Sequence, residues 1–205
     1  MVADGAGAAA EPAVLARLRA CRLCADEFAA THTAHTPRPV FQLDPRARIL
    51  VAGQAPGMRV QQSGRPFDDP SGDRLRDWMG IDRTTFYDAS RIAIVPMGFC
   101  FPGYDAKGAD LPPPRRCAET WRAEVLATLP ALSLTLVIGQ YAQRWHLGPA
   151  PKGGVTARVA DWRARLPEIV PLPHPSWRNT AWLKRNPWFE AEVVAWLRGA
   201  VARLV

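Results

Sequence analysis

Four short apolar runs constrain this chain more than any other feature. They are Arg48–Ala52 (RILVA), Arg91–Val95 (RIAIV), Leu134–Ile138 (LTLVI) and Ile169–Leu172 (IVPL). Each is the length of a buried strand, and helical patterns fill the chain between them. Val14, Leu15 and Leu18 lie at helical spacing and predict a helix over 13–22. Ser71 predicts a cap for a helix ending at Met79. Further helices are predicted over 119–129, stopping before Pro130, from Gln140 onward, and over 156–166. Asn186 and Pro187 predict a cap and first turn for a C-terminal helix reaching about Leu204. Short apolar strands alternating with helices imply a sheet covered on both faces. The expected fold is therefore α/β: three layers, α/β/α, around a central, mainly parallel four-stranded sheet.

Of the 205 residues, 48% are hydrophobic, which suits one domain spanning 1–205 with a sizeable core. No internal repeat or linker interrupts it, and Leu111–Pro114 predicts a rigid loop. Residues 1–12 are expected to form a flexible leader. The first eleven are small and acidic and lack the basic and apolar regions of a secretory signal. With no apolar run long enough for a membrane span, the expectation is a monomer in the cytoplasm. The formal net charge of +7 fits a polyanionic partner, although a solvated basic surface would carry the same charge.

Catalytic groups of such sheets gather at the carboxyl ends of the strands. Two of those ends carry distinctive residues. After the first strand come Gly53-Gln54-Ala55-Pro56-Gly57 and then Gly64-Arg65-Pro66-Phe67. After the fourth comes His174-Pro175-Ser176-Trp177-Arg178-Asn179. The glycines allow close backbone approach to a ligand. Gln54 has a donor and an acceptor for a base edge. Phe67 offers a stacking face, and His174 a hydrogen bond to a developing anion. Taken singly, the first segment could be an ordinary strand-to-helix turn, Phe67 a core residue and His174 a surface histidine. Their joint placement at equivalent strand ends favours a site. Four cysteines, Cys21, Cys24, Cys100 and Cys117, include one Cys-x-x-Cys, which favours a metal or cluster centre over disulfides.

Gly53–Gly57 with Gly64–Phe67 resembles the first motif of the uracil-DNA glycosylase superfamily, and His174–Asn179 resembles its second. The cysteine spacing, Cys-x2-Cys, 75 residues and Cys-x16-Cys, is similar to that of the iron–sulfur enzymes called family 4. The resemblance runs from Cys21 past Asn186. It implies a DNA repair enzyme that hydrolyses the N-glycosidic bond of uracil and leaves an abasic site. Gly53, Gln54, Ala55, Gly57 and Phe67 would bind the base, and His174 would assist its departure. Ser176, Trp177, Arg178 and Asn179 would meet uracil-containing DNA. The four cysteines would hold a [4Fe–4S] cluster, with a structural zinc as the alternative.

The chain departs from the pattern at Gln54, where family 4 has Glu, and at Pro96, where it has a uracil-reading Asn. Ala55 and Gly57 replace the water-activating Asp and thymine-excluding Tyr of other uracil glycosylases, so a distinct branch is implied. A carboxylate near the sugar would stabilise its positive charge or orient water. Asp68 is the candidate, with Asp69 beside it; loop capping is the other role open to both. Trp177, Arg178 and Trp182 are wedge candidates, and packing on the C-terminal helix is the alternative for Trp182. A non-catalytic binder of damaged or single-stranded DNA is the second functional reading. An electron-transfer protein ranks last, since it would need no His-Pro-Ser loop.

Overall fold

The computed structural model describes residues 12–205. The leader expected over 1–12 lies, except for Pro12, outside the described residues. Four strands, β1 (Ile49–Ala52), β2 (Ile92–Ile94), β3 (Leu134–Ile138) and β4 (Ile169–Leu172), form one sheet in the order β2-β1-β3-β4. Every pairing is parallel: Ile49 pairs with Ile92 and with Leu134, and Thr135 pairs with Ile169. The sheet sits between helices, as the alternating pattern implies.

In chain order the helices are α1 (Ala13–Arg19), α2 (Ala25–Ala29), α3 (Met58–Ser63), α4 (Pro70–Met79), α5 (Arg83–Phe86), α6 (Arg115–Ala127), α7 (Gly139–Leu147), α8 (Gly154–Ala160), α9 (Thr180–Arg185) and α10 (Ala195–Ala202). Successive strand side chains point to opposite faces, so each strand feeds two cores. Ile49, Val51, Ile94, Leu136 and Leu172 pack against Leu75 and Met79 of α4 and Leu197 of α10. Leu50, Ala52, Ala93, Val95 and Val137 pack against α1, α6 and α7 through Leu18, Trp121, Val125 and Ala142.

Several helix boundaries differ from expectation. The cap of α4 is Asp69, whose side chain accepts from the Gly72 amide at 2.9 Å; Ser71 lies inside the helix, after Pro70 at its first position. Helix α1 ends at Arg19, three residues early, which frees Cys21 and Cys24 to turn inward. Helix α6 starts directly after Pro114 and ends at Ala127. The helix expected over 156–166 breaks into α8 and a 3-10 turn, Trp162–Arg165. The Asn186 side chain donates to the Trp182 carbonyl rather than capping, and the C-terminal helix opens with a π-helical stretch, Phe189–Val194. The short helices α2, α3, α5 and α9 have too few turns to show a periodic pattern.

Chain order reverses between β1 and β3. From β1 the chain steps to β2 on one side, then crosses to β3 and β4 on the other. A crevice opens at such a switch point, outside the carboxyl ends of the strands.

Candidate active site

A cleft of about 580 Å³ lies at that crevice. Its floor comes from β1. Gly53 and Gln54 follow the strand, and their carbonyls accept from the amides of Met97 and Gly98 at 2.9 Å each. The ends of β1 and β2 are thereby strapped together. Ala55, Pro56 and Gly57 continue the wall to α3. A side chain at Gly57 would meet nothing within 4 Å, so the backbone there faces open space.

Phe67 leans over this floor. A Cβ added at Gly53 would come within 3.4 Å of its ring. Phe67 has φ +54°, a left-handed conformation unusual for an aromatic residue. Tight packing holds it there: a Cβ at Gly72 would lie 1.8 Å from the Phe67 carbonyl oxygen. Its ring meets Phe86 edge-on at 6.2 Å and also lines the cleft. The core and site readings of Phe67 thus apply to different sides of one ring.

His174 stands beyond β4, and a Cβ at Gly139 would be 3.9 Å from its own. Its Nδ1 accepts the Ser176 backbone amide at 3.2 Å. A nitrogen that accepts carries no proton, so the neutral ring holds its proton on Nε2. Burial holds the His174 pKa below its ordinary value. Asp69 and Asp110 pull it back up, and Arg178 opposes them. The loop itself is tied down. Asn179 Nδ2 donates to the His174 carbonyl at 2.7 Å, and Arg74 of α4 donates to the Ser176 carbonyl at 2.9 Å.

The cleft gathers every base- and DNA-binding candidate, together with His174. At its rim Trp177 is 73% exposed, and the Arg178 guanidinium lies 5.9 Å from its ring centre. Trp182 takes the packing alternative: its indole donates to Thr156 Oγ1 at 2.8 Å, and its ring meets Trp188 and Phe189 edge-on.

Asp68 is not among the residues lining the cleft. Its carboxylate accepts from Arg83 at 2.6 Å, and that bond holds its pKa below the usual range. Asp69 lines the cleft but is engaged in capping α4. A third carboxylate, Asp110, reaches the cleft from the loop between Cys100 and α6. The residue as a whole is exposed, yet its carboxyl is withdrawn enough for burial to push its pKa up. Arg178 and His174 draw it back down. Sequence reasoning missed it because a lone Asp before Leu-Pro-Pro carries no motif.

The four cysteines line a second, apolar cavity with Leu18, Phe28, Phe99 and Trp121 among its walls. None forms a disulfide. Cys21 and Cys24 come from the turn between α1 and α2, Cys100 from the strand-β2 loop and Cys117 from the first turn of α6. The Phe99 amide donates to Cys117 Sγ at 3.4 Å. Burial pushes Cys100 up to about 12 and Cys117 up to about 11, so both are neutral thiols without a cation. Four thiols around one cavity fit a four-thiolate centre in number and type. Among the described residues, no three His, Cys, Asp or Glu side chains are placed to share a single metal ion. The cavity adjoins the cleft: Gly98 lines the cysteine side, and its amide bonds to Gln54 on the other.

Residues 40–198, most of the chain, match the family model of the uracil DNA glycosylase superfamily. The chain belongs to that superfamily. A DNA glycosylase is thus the class of enzyme, and DNA the class of partner. The fold is also similar to two solved structures. One, from Methanosarcina acetivorans and provisionally named a uracil DNA glycosylase, shows 17% identity and a TM-score of 0.46, over 79% of this chain and 98% of that one. The other, SMUG2 of Pedobacter heparinus, shows 14% identity and a TM-score of 0.41, over 75% and 76%. Among the described residues of this superfamily member, no helix is long and apolar enough to cross a membrane.

Proposed function

We propose that this protein excises uracil from DNA by hydrolysing the N-glycosidic bond. The observation that carries the reading is the bond from the Ser176 amide to His174 Nδ1, which leaves Nε2–H as a neutral donor at the cleft. Cleavage leaves negative charge on the departing base and positive charge on the sugar. A preorganised donor acts on that charge as it develops. The target base must leave the stack to reach the cleft. Phe67 stacks on it. The Gln54 side-chain amide, which takes no hydrogen bond within the described residues, reads its edge in place of the Asn that Pro96 replaces. Trp177 and Arg178 at the rim fill the gap in the duplex and meet phosphate.

As the bond breaks, His174 Nε2–H donates to the base oxygen that gains charge. Asp110 stabilises the positive sugar and orients the water that adds to C1′. The products are uracil and an abasic site. Asp68, bound to Arg83, takes no part.

The same reading places the chain near the family 4 branch, with Cys21, Cys24, Cys100 and Cys117 holding a [4Fe–4S] cluster. Such a cluster needs four thiolates spread around a cage, whereas zinc needs them gathered on one ion. The gathering of all four cysteines around one cavity, with their Cys-x2-Cys and Cys-x16-Cys spacing, supports a four-thiolate centre. When bound, the cluster would brace the α1–α2 turn against the Cys100–Cys117 loop.

Incubation with a uracil-containing oligonucleotide, followed by alkali, tests the function. Strand breakage at the uracil is the expected result. A gel shift without breakage would identify a binder instead, and breakage only at another deaminated base would reassign the substrate.

A further inference from the structure

Between Cys100 and α6 the chain closes on itself as a hairpin. Tyr104 and Asp110 pair across it as an antiparallel bridge. The Asp105 amide donates to the Ala109 carbonyl at 2.9 Å, the Gly108 amide to the Asp105 carbonyl at 3.0 Å and the Leu111 amide to the Gly103 carbonyl at 2.9 Å. At the tip, Asp105 Oδ1 accepts from the amides of Lys107 at 2.8 Å and Ala109 at 2.9 Å. An Asp side chain that bonds the backbone just ahead of it fixes a turn locally. The root is held as well. Gly103 has φ +100°, and a Cβ there would lie 3.0 Å from the Thr31 side chain. The buried Phe101 ring meets Tyr104 edge-on at 5.0 Å, and the Phe101 carbonyl accepts from His35 Nε2 at 2.8 Å.

This anchored hairpin turns one face to the cleft. Residues directly opposite each other in an antiparallel pair project from the same side. Tyr104 and Asp110 therefore stand side by side, and both line the cleft that His174, Trp177 and Arg178 also line. The Tyr104 hydroxyl takes no hydrogen bond among the described residues. Lys107 is exposed at the tip, and its ammonium has no ion-pair partner among the described residues. With Asp105 engaged by the tip amides, Lys107 is the charge that the tip offers to a ligand.

We propose that this hairpin is a second DNA-contacting element, separate from the His174–Asn179 loop. Tyr104 packs against the sugar of the target nucleotide and donates its hydroxyl to the phosphate on that sugar. Lys107 meets a phosphate further along the strand. The place of Tyr104 at the sugar rests on the reading of Asp110 given above. Tyrosine hydroxyls and lysines both hold DNA by its phosphates, the first as a neutral donor and the second as a point charge.

Four variants test the proposal: Tyr104→Phe, Tyr104→Ala, Lys107→Ala and Lys152→Ala. Lys152 is exposed and does not line the cleft, so its variant controls for lost charge. Affinity for an undamaged single-stranded oligonucleotide is measured by fluorescence anisotropy across a salt series, and KM on a uracil oligonucleotide. Lys107→Ala should lower the salt slope by about one contact and weaken binding several-fold at low salt. Lys152→Ala should keep the wild-type slope. Tyr104→Phe keeps the ring against Phe101 and loses only the hydroxyl. It should raise KM several-fold while affinity for undamaged DNA barely moves, a split that lost folding would not produce. Tyr104→Ala should raise KM further; if it does not fold, Tyr104→Phe alone decides. A wild-type slope in Lys107→Ala, an equal fall of slope in Lys152→Ala, or a wild-type KM in Tyr104→Phe overturns the proposal. If wild-type protein leaves uracil in place, the sugar contact of Tyr104 falls with the function, while the Lys107 slope on undamaged DNA still decides whether the hairpin holds a strand.

Discussion

At the scale of single residues, the site rests on a histidine kept neutral and aimed. The Ser176 amide occupies Nδ1, and burial disfavours the imidazolium. His174→Ala should therefore slow single-turnover excision by about a hundredfold or more, the usual scale for losing one preorganised donor. Binding to uracil-containing DNA should change far less, because the ground-state base carries no such charge. Asp110→Asn should slow excision substantially and Asp68→Asn hardly at all; the reverse order would return the sugar-facing role to Asp68. The pH dependence follows from the same groups. His174 titrates below its ordinary value of 6.5 and Asp110 above its ordinary value of 3.8. The acid limb of the pH–rate profile should therefore lie above the range of an ordinary carboxylate, and a limb inside that range would remove Asp110 from the sugar-facing role. Stability has a related sign. His146 is pushed down to about 4 by burial and then by Arg122, and His174 is also lowered. The unfolded chain thus binds protons first as pH falls below 6.5, and stability declines from there through the folded-state values. Urea midpoints at pH 7 and pH 5 check this; an unchanged midpoint would mean the histidines are solvated.

At the scale of elements, the start of α4 sets the geometry of the base-binding wall. Asp69 caps the helix, Pro70 opens it, and Gly72 lets the first turn close onto the Phe67 carbonyl. That contact holds Phe67 at positive φ, with its ring over Gly53. No Cβ fits at Gly72 without moving backbone. Gly72→Ala should destabilise the protein by about 1–3 kcal/mol, the range for overpacking a tight site. It should also weaken base capture, since the ring moves with its backbone. Chemical denaturation and KM measured together test this. A stable variant with wild-type KM would show that α4 does not position Phe67.

For the whole molecule, the net positive charge and the cleft act together. The chain carries a net charge of +7, and phosphate contacts release counterions, so affinity for DNA should fall linearly on a logarithmic salt scale. Arg178 stands at the cleft rim above the exposed ring of Trp177. Arg178→Ala should lower the salt slope by about one contact and weaken binding to any sequence similarly. A salt slope equal to the wild type would place Arg178 off the phosphate path. The cleft and the cysteine cavity also share one wall. The segment from Pro96 to Cys100 faces the base cleft at one end and the cysteine cavity at the other.

The architecture was legible in the sequence because it rests on local regularities. Four apolar runs of strand length between helical patterns were enough for a parallel sheet, and glycine and proline marked where strands turn into loops. LTLVI matched its strand residue for residue. The two motifs at strand ends were also readable, since topology brings those ends together whatever the side chains between them. Other features depended on contacts across the chain. Ser71 looked like a cap because it precedes a helical pattern, but Asp69 is where the backbone turns. Asp68 was named and Asp110 missed, because which carboxylate faces the cleft is decided by Arg83 on α5 and by the course of the Cys100–Cys117 loop. Short helices such as α3 and α9 exist through packing rather than periodicity. The neutrality of His174 and the burial of Arg122 were settled only by tertiary structure, because burial and hydrogen-bond partners are properties of neighbours distant in the chain.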